Sequence, residues 1–132
     1  MSRENVEIVR GIYERLNRGD VEGFVEVCDD DFVMDMSERV FNPDTFKGHD
    51  GIRRFYDGVT DVWESYRWNV EEARVAGDSV VALLHCEARS REAGPQVDWR
   101  VAWVWNFCGA RPVSLRFFRD RAQALEAVGL RE

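Results

Sequence analysis

Apolar residues in the first half of the chain recur three or four positions apart, a spacing that predicts helices. The first predicted helix ends at the residues NRGD, and its apolar stripe consists of Val6, Val9, Ile12, Tyr13 and Leu16. Asp20 is placed to cap a short second helix, and residues 32–36 form a predicted strand. After a loop, Asp50 is placed to cap a third helix that continues to Trp63. The first half is therefore predicted to be mainly helical.

The second half has longer apolar runs separated by turn residues, a pattern typical of strands. Four strands are predicted, over residues 67–75, 79–90, 96–107 and 111–118. Gly77 and Asp78 favour a tight hairpin between the first two. A last helix follows, with Asp120 and Gln123 as a capping box and Gly129 at its end. Helices followed by a strand meander indicate an α+β fold, and strands this long must twist, so we expect a curved antiparallel sheet.

The third predicted strand is the most informative about the interior. Between residues 97 and 107 every second position is apolar: Val97, Trp99, Val101, Trp103, Trp105 and Phe107. Successive strand residues face opposite sides of a sheet, so three tryptophans share one face. Such a face suits the flat wall of an apolar pocket. The alternative, that the tryptophans are core residues covering the helices, fits the same pattern.

Composition favours one globular domain and excludes one kind of partner. The chain has 132 residues, 45% of them hydrophobic, and a formal charge of −7. This length is typical of a single domain. Lys47 is the only lysine among many arginines, a bias that we attribute to a GC-rich, bacterial genome. No stretch is strongly basic, so we expect no nucleic-acid partner.

The chain shows no pattern typical of export, membrane insertion or metal binding. Its first residues are charged rather than apolar, and no apolar run approaches the length of a membrane span. Three widely spaced cysteines form no CxxC pair, which favours a reducing compartment. His49 and His85 lie far apart and outside any metal-binding spacing. We therefore expect a cytoplasmic protein with no membrane contact, no metal and no organic cofactor.

Four segments, taken in order, resemble the nuclear-transport-factor-2-like superfamily, and particularly its SnoaL-like, polyketide cyclase-like branch. They are IVRGIYERLNRGDVEGFVEVCDDDFVMD, FKGHDGIRRFYDGVTDVW, VAGDSVVALLHCEARS and VSLRFFRDRAQALEAVGL. The resemblance covers nearly all of the chain and implies a single SnoaL-like domain over residues 1–132. It also implies a cone, in which a curved antiparallel sheet wraps around the N-terminal helices as a cystatin-like α+β roll and leaves a deep apolar cavity.

Asp35 is the main catalytic candidate. It lies between Met34 and Met36, and the resemblance places it where ketosteroid isomerases keep their proton-abstracting aspartate. A carboxylate that faces an apolar cavity has a raised pKa, which makes it a better base at neutral pH. This predicts a cofactor-free cyclase or isomerase that acts on an apolar carbonyl compound. The alternative is a position at the rim, with a salt bridge to Arg53 or Arg119.

The groups that would assist Asp35 are only partly in place. The two oxyanion donors of the isomerases fall at Ile12 and Trp103, so their oxyanion hole is missing from this sequence. His85 lies in the middle of a strand and is a candidate acid or base beside Asp35, unless it faces outward. Six aromatic residues are candidates for substrate contact, with a core position as the alternative for the helical ones: Tyr13, Tyr56, Trp63, Trp99, Trp103 and Phe117.

Two other functions compete with the cyclase or isomerase. A noncatalytic ligand-binding or dimeric interaction module needs the same pocket but no base. An epoxide-hydrolase-like activity, which the resemblance also implies, needs carboxylates bridged by an arginine, and Asp98 and Arg100 are the candidates. Both residues lie opposite the tryptophans, which favours the outer face of the sheet. We expect a small apolar or aromatic ligand, and a homodimer formed through that outer face.

Overall fold

The structure is a computed structural model, and it describes residues 2–40, 43–92 and 94–131. Within these residues lie four helices: α1 (Ser2–Asn17), α2 (Val21–Val27), α3 (Gly48–Val62) and α4 (Arg121–Ala127). The same residues contain six strands: β1 (Val33–Asp35), β2 (Thr45–Lys47), β3 (Trp63–Ala76), β4 (Ser79–Ser90), β5 (Gln96–Cys108) and β6 (Arg111–Phe118). Helices precede the long strands, as predicted.

Two of the predicted helix caps are confirmed. The Asp20 side chain accepts a hydrogen bond from the backbone N–H of Gly23 at 2.9 Å and caps α2. The Asp120 side chain accepts bonds from the backbone N–H groups of Ala122 and Gln123 and caps α4. Each carboxylate satisfies backbone donors that have no partner within the first turn of a helix.

The start of α3 differs from the prediction. Asp50 does not cap the helix, which begins at Gly48 after Lys47, and Lys47 makes no side-chain cap bond. Asp50 instead accepts a hydrogen bond from Arg53 Nη1 at 2.8 Å. The cause is β2, a strand missing from the prediction, which runs directly into the helix. Gly48 has a φ of 70° there, a left-handed conformation that glycine adopts without steric cost.

The six strands form one curved, open sheet in the order β2-β1-β6-β5-β4-β3. Neighbouring strands from β3 to β6 are antiparallel, as predicted. The pair β1 and β6 is parallel, with Val33 opposite Ser114, and this pair lies outside the four antiparallel strands that were predicted. The chain reaches β1 from the helices and not through a hairpin with β6. Antiparallel direction is therefore not imposed on this pair.

The inner face of the sheet packs on α1, α2 and α3, and the outer face carries α4. Odd-numbered residues of β5, including Trp103 and Trp105, belong to the inner core, as the alternation predicts. Even-numbered residues of β5, Ala102 and Val104, pack with Leu125 of α4 in a second, smaller cluster on the outer face. The fold is the α+β cone that the resemblance implies.

Both faces of β4 are buried, which explains why its orientation could not be predicted. Leu84 and Cys86 belong to the inner core, whereas Val81 and Leu83 belong to the outer cluster under α4. Because side chains alternate along a strand, His85 shares the outer face with Leu83. With apolar residues on both faces, the sequence of β4 has no alternation to show which side faces the interior.

Candidate ligand-binding cavity

A cavity of about 550 Å³ opens at one end of the inner face of the sheet. Its wall is formed by α3, by residues 36–40 after β1, by the first part of β3 and by parts of β5 and β6. Volumes of a few hundred to about 1,000 Å³ are typical of sites for small organic molecules. The cavity is therefore large enough for a ligand of several fused rings.

Seven of the seventeen described residues that line the cavity are aromatic. The rings of Trp63 and Trp99 lie 5.7 Å apart between centroids, and those of Tyr66 and Trp68 lie 4.2 Å apart. Offset and tilted ring pairs at such distances stabilise one another beyond the area that they bury. The complete set of aromatic lining residues is Phe55, Trp63, Tyr66, Trp68, Trp99, Trp103 and Phe117.

The position of Trp68 is fixed by an asparagine from α1. The Asn17 side chain accepts a hydrogen bond from Trp68 N at 2.9 Å and donates one to Trp68 O at 2.9 Å. The amide thus pairs with both backbone groups of Trp68, as a neighbouring strand would. The indole Nε1 of Trp68 is buried and has no hydrogen-bond partner among the described residues, an arrangement that costs free energy until an acceptor is supplied.

The opening of the cavity has an apolar rim. Three lining residues expose much of their surface: Val40 is 68% exposed, Val62 37% and Val97 39%. These valines come from three separate segments of the chain, yet they meet around a single opening. Exposed apolar side chains that cluster in this way mark binding surfaces more often than isolated ones do.

The formal charges on the cavity lining all come from arginines. Arg39, Arg100 and Arg119 line the cavity, and among the described residues no acidic side chain does so. The Arg39 guanidinium lies 5.3 Å from the centroid of the Phe55 ring, and burial lowers its pKa. Arg100 differs from the other two, because its guanidinium donates hydrogen bonds to Glu71, with Nε 3.2 Å from Oε1.

The structure places Asp35 on the side of β1 opposite to the cavity. Met34 and Met36 are buried, at 0% and 1% exposure, and Met36 lines the cavity. Asp35 lies between them and therefore faces the other way, with Arg116 opposite it on β6. Its carboxylate accepts hydrogen bonds from the backbone N–H of Ser37 at 3.0 Å and from the Ser37 hydroxyl at 2.6 Å.

The environment of Asp35 shifts its pKa in the direction opposite to the one expected. The hydrogen bond from the Ser37 hydroxyl is the main cause, and it lowers the pKa of the carboxyl below its usual value. The prediction of a raised pKa was wrong because it assumed an apolar environment. The alternative of a salt bridge from Asp35 to Arg53 was also wrong, since Arg53 binds Glu22 and Asp50.

His85, Asp98 and Arg100 meet on the outer face of the sheet. His85 Nε2 lies 2.7 Å from Asp98 Oδ2, and the side chain is partly exposed. Arg100, which is opposite His85 on the neighbouring strand, binds Glu71 rather than Asp98. Arg121 of α4 also donates to Glu71. This surface is an ionic network across three strands, and within the described part of the chain it lacks the carboxylates bridged by an arginine that an epoxide hydrolase needs.

The predicted ligand residues fall into two groups. Trp63, Trp99, Trp103 and Phe117 line the cavity. Tyr13 is buried in the core, where its hydroxyl accepts a hydrogen bond from Trp105 Nε1 at 3.0 Å, and burial raises its pKa. Tyr56 packs against the same core and is not part of the lining.

Several lining residues were missing from the prediction. Arg39 and Val40 lie in a segment that has no periodic pattern, so nothing in the sequence indicates their orientation. Tyr66 precedes the predicted start of β3. Gly58 was recoverable, because it follows Phe55 by three positions on α3 and precedes Val62 by four, and residues with this spacing share one helix face.

Residues 9–113 match the SnoaL-like domain family, and the chain therefore belongs to that family. No curated protein matches the chain in sequence. Among solved structures, it is similar to an NTF2-like protein from Burkholderia pseudomallei, with a TM-score of 0.78 and 22% identity over 96% of this chain and 98% of that one. Among the described residues, no helix is long and apolar enough to cross a membrane.

The similar structures that were solved with ligands include the following two. One is a protein with a ketosteroid isomerase-like fold from Catenulispora acidiphila, in complex with trimethylamine, with a TM-score of 0.76 and 17% identity over 94% of this chain and 93% of that one. The other is RV0760c from Mycobacterium tuberculosis, in complex with estradiol-17β-hemisuccinate, with a TM-score of 0.74 and 17% identity over 89% and 95%. At these identities the likeness shows the fold alone.

Proposed function

We propose that the protein binds a small, flat, largely apolar molecule in the cavity of its cone. The observation that carries this proposal is the 550 Å³ cavity with aromatic walls and a valine rim. Apolar lining with a few polar groups is the usual composition of small-molecule sites. The ligands of the two similar structures, a steroid hemisuccinate and trimethylamine, support a ligand-binding role for the fold, but they differ in charge and size and so do not indicate this ligand.

Gly58 offers a way to block the cavity without disturbing the fold. It lines the cavity from α3, and a Cβ added there meets no atom within 4 Å. Replacing a helical glycine also favours the helix, by up to about 1 kcal/mol. We expect Gly58→Leu and Gly58→Phe to remain folded and to lose binding of N-phenyl-1-naphthylamine, a neutral aromatic dye, measured by its fluorescence.

Gly58→Ala is the matched control, because it gains at least as much helix propensity as the larger variants with only one added carbon. It should retain most of the dye binding, so that binding falls in the order of side-chain volume. Circular dichroism and thermal unfolding of the three variants establish that they are folded. Undiminished dye binding by folded Gly58→Phe would contradict the proposal.

Catalysis by Asp35 is the second candidate, and the proton abstraction predicted for it remains a prediction. The family supports it, but the Ser37 hydrogen bonds and the lowered pKa make this carboxylate a weaker base. A direct test is the exchange of the α protons of 2-tetralone, a flat aromatic ketone, in D₂O, followed by NMR. Faster exchange with the wild type than with Asp35→Asn would support an enzyme, and equal rates would favour a binding protein.

The predicted homodimer through the outer sheet face also remains a proposal. Part of that face is covered by α4, which packs Ala124 and Leu125 on it. The remainder carries the His85–Asp98 pair and the cluster around Glu71. A dimer formed there would pair polar groups, so we expect its dissociation to increase with salt. Sedimentation velocity at low and high ionic strength tests this.

A further inference from the structure

The charge of the cavity lining is opposite to the charge of the whole protein. The chain has 25 acidic and 18 basic residues, yet the described lining residues include three arginines and no acidic side chain. A lining drawn from this composition at random would contain more acids than bases. The arginine excess therefore favours a particular kind of ligand.

Arg39 is the most enclosed of the three charges. Its guanidinium packs over the face of Phe55 at 5.3 Å, and desolvation dominates its environment. The Tyr66 hydroxyl and the exposed Asp44 carboxylate both act on it, but Asp44 is not part of the lining. A guanidinium with reduced hydration attracts an anion more strongly than one in bulk water does.

Arg119 supplies a second positive charge at the opening. It follows the last residue of β6 and lines the cavity, as does Phe117, which is buried in the wall. Arg119 itself is exposed. Arg100 is different, because Glu71 holds its guanidinium on the outer face. Arg39 and Arg119 are the two lining arginines whose charge Glu71 does not hold on the outer face.

Two groups that carry O–H or N–H donors lie in the same wall. The Tyr66 hydroxyl is hydrogen-bonded to the Cys86 thiol, and burial raises its pKa well above the usual value, so it stays protonated at neutral pH. The Trp68 indole N–H is buried without a partner among the described residues. Guanidinium and indole groups have no acceptor of their own, so the polar groups of this wall are arranged to meet acceptor atoms.

We propose that the ligand is an aromatic acid: a flat apolar ring system carrying an anionic oxygen, as a carboxylate or an acidic phenol, which binds against Arg39 and Arg119. The rings would lie between the tryptophans, and the anion would lie toward the rim. This inference rests on the proposed function and specifies its ligand class. The inference requires a negatively charged ligand. If the arginines acted instead through cation–π contacts, they would favour neutral rings.

The experiment compares three probes of nearly equal shape by isothermal titration calorimetry: 2-naphthoate, 2-naphthamide and 2-naphthylmethylammonium. A hydrogen bond to a charged group contributes about 1.5–3 kcal/mol, so we expect 2-naphthoate to bind at least about tenfold more tightly than the amide. The amine should bind most weakly. The advantage of the acid over the amide should decrease as salt is raised.

Three variants connect this preference to the arginines. Arg39→Met and Arg119→Met should each lower the ratio of 2-naphthoate affinity to 2-naphthamide affinity, and Arg39→Lys should retain part of that ratio. Arg54→Met is the matched control, since the Arg54 guanidinium also lies 5.3 Å from an aromatic centroid, that of Phe46, but lies outside the cavity lining. It should change neither affinity.

The outcomes separate this inference from the proposed function. Equal binding of acid and amide, or tighter binding of the amine, overturns the aromatic-acid inference and leaves a ligand-binding cavity. A preference for the acid that survives both arginine substitutions also overturns it. If none of the three probes binds and Gly58→Phe does not change dye binding, the proposed function fails together with it.

Discussion

Tryptophan side chains at the two ends of the inner face of β5 lie in different environments. At one end Trp105 is fully buried, and its ring lies 5.8 Å from Tyr13 and 5.8 Å from Phe24 between centroids. At the other end Trp99 is only partly buried, and its ring is part of the cavity wall with Trp63. Trp103, between them, belongs to both the core and the wall.

What distinguishes the two ends is which elements lie over the sheet. Residues of α1 and α2 cover the Trp105 end, whereas at the Trp99 end α3 stands beside the opening without filling it. Core packing and cavity lining are thus both correct interpretations of the tryptophan stripe, each for one end. An aromatic stripe on a strand indicates a buried face, and the helices decide whether that face is filled or left open.

The largest expected effect separates the two ends directly. Trp105→Ala should lower the free energy of unfolding by about 3–5 kcal/mol, because it removes a large side chain from a filled core. Trp99→Ala should cost much less stability and should instead weaken binding of N-phenyl-1-naphthylamine. Urea unfolding and dye titration of both variants provide the comparison. Similar stability losses in both variants would show that the cavity end is packed like the core.

A second prediction concerns the link between α1 and the cavity. Asn17→Ala removes both hydrogen bonds to the Trp68 backbone and should lower the free energy of unfolding by about 2 kcal/mol, since two buried backbone groups lose partners. Dye binding should weaken as well, because Trp68 is no longer held in the wall.

The control for Asn17 is Asn69→Ala on the outer face, where the side chain binds His85 O and Glu87. It should cost less stability and leave dye binding unchanged. Full dye binding by Asn17→Ala would show that the position of Trp68 in the cavity wall does not depend on the Asn17 hydrogen bonds.

A third, smaller effect is confined to the filled end. Tyr13→Phe removes the acceptor of the Trp105 indole N–H and should cost about 1–2 kcal/mol, because a buried donor is left without a partner. Dye binding should not change, since Tyr13 is not part of the lining. Tyr56→Phe, with no such bond to lose among the described contacts, is the control, measured by the same urea titration.

The smallest effect is expected at Asp35, which lies on the side of β1 opposite to the cavity. The folded-state pKa of Asp35 is lowered, so its contribution to stability is present above the unfolded-state pKa of about 3.9 and is lost as pH falls through the lower folded-state value. Asp35→Asn should therefore be less stable than the wild type at pH 7, and the difference should decrease as the pH falls below the unfolded-state pKa.

Ser37→Ala should reproduce the stability loss of Asp35→Asn at pH 7, because the Ser37 hydroxyl is the main cause of the shift. Urea unfolding at several pH values measures both. Neither variant should alter dye binding. A wild-type protein that gains stability relative to Asp35→Asn on acidification would mean that the carboxyl has a raised pKa after all.

The sequence predicts the backbone of this fold better than it predicts the site. Alternation along β5 and the helical stripe of α1 place Trp103 and Ile12 in the core correctly, because one side of each element faces water or a second layer. The same logic failed at β4, whose two faces are both buried. It also failed at β2, whose three residues are too few to show alternation.

The site depends on features that a periodic pattern does not record. The resemblance predicted Asp35 as a catalytic aspartate in the cavity, yet around the three-residue strand β1 it is Met34 and Met36 that take the inner face. Arg39 and Arg119 reach the cavity from segments outside regular structure, where side-chain direction depends on the tertiary fold. The walls of the cavity were therefore predictable in part, and its charge was not.

The parallel pairing of β1 with β6 has a consequence for how the chain is made and folded. Residues 33–35 pair with β2 on one side and with residues 114–116 on the other. The first strand to be synthesised, β1, therefore pairs with the last one, β6. During synthesis, Met34 and Met36 emerge long before the surface that covers them. Such long-range contacts slow folding, and the last part of the chain determines when the first part becomes native. Loss of β6 would therefore release β1 and β2 along with it.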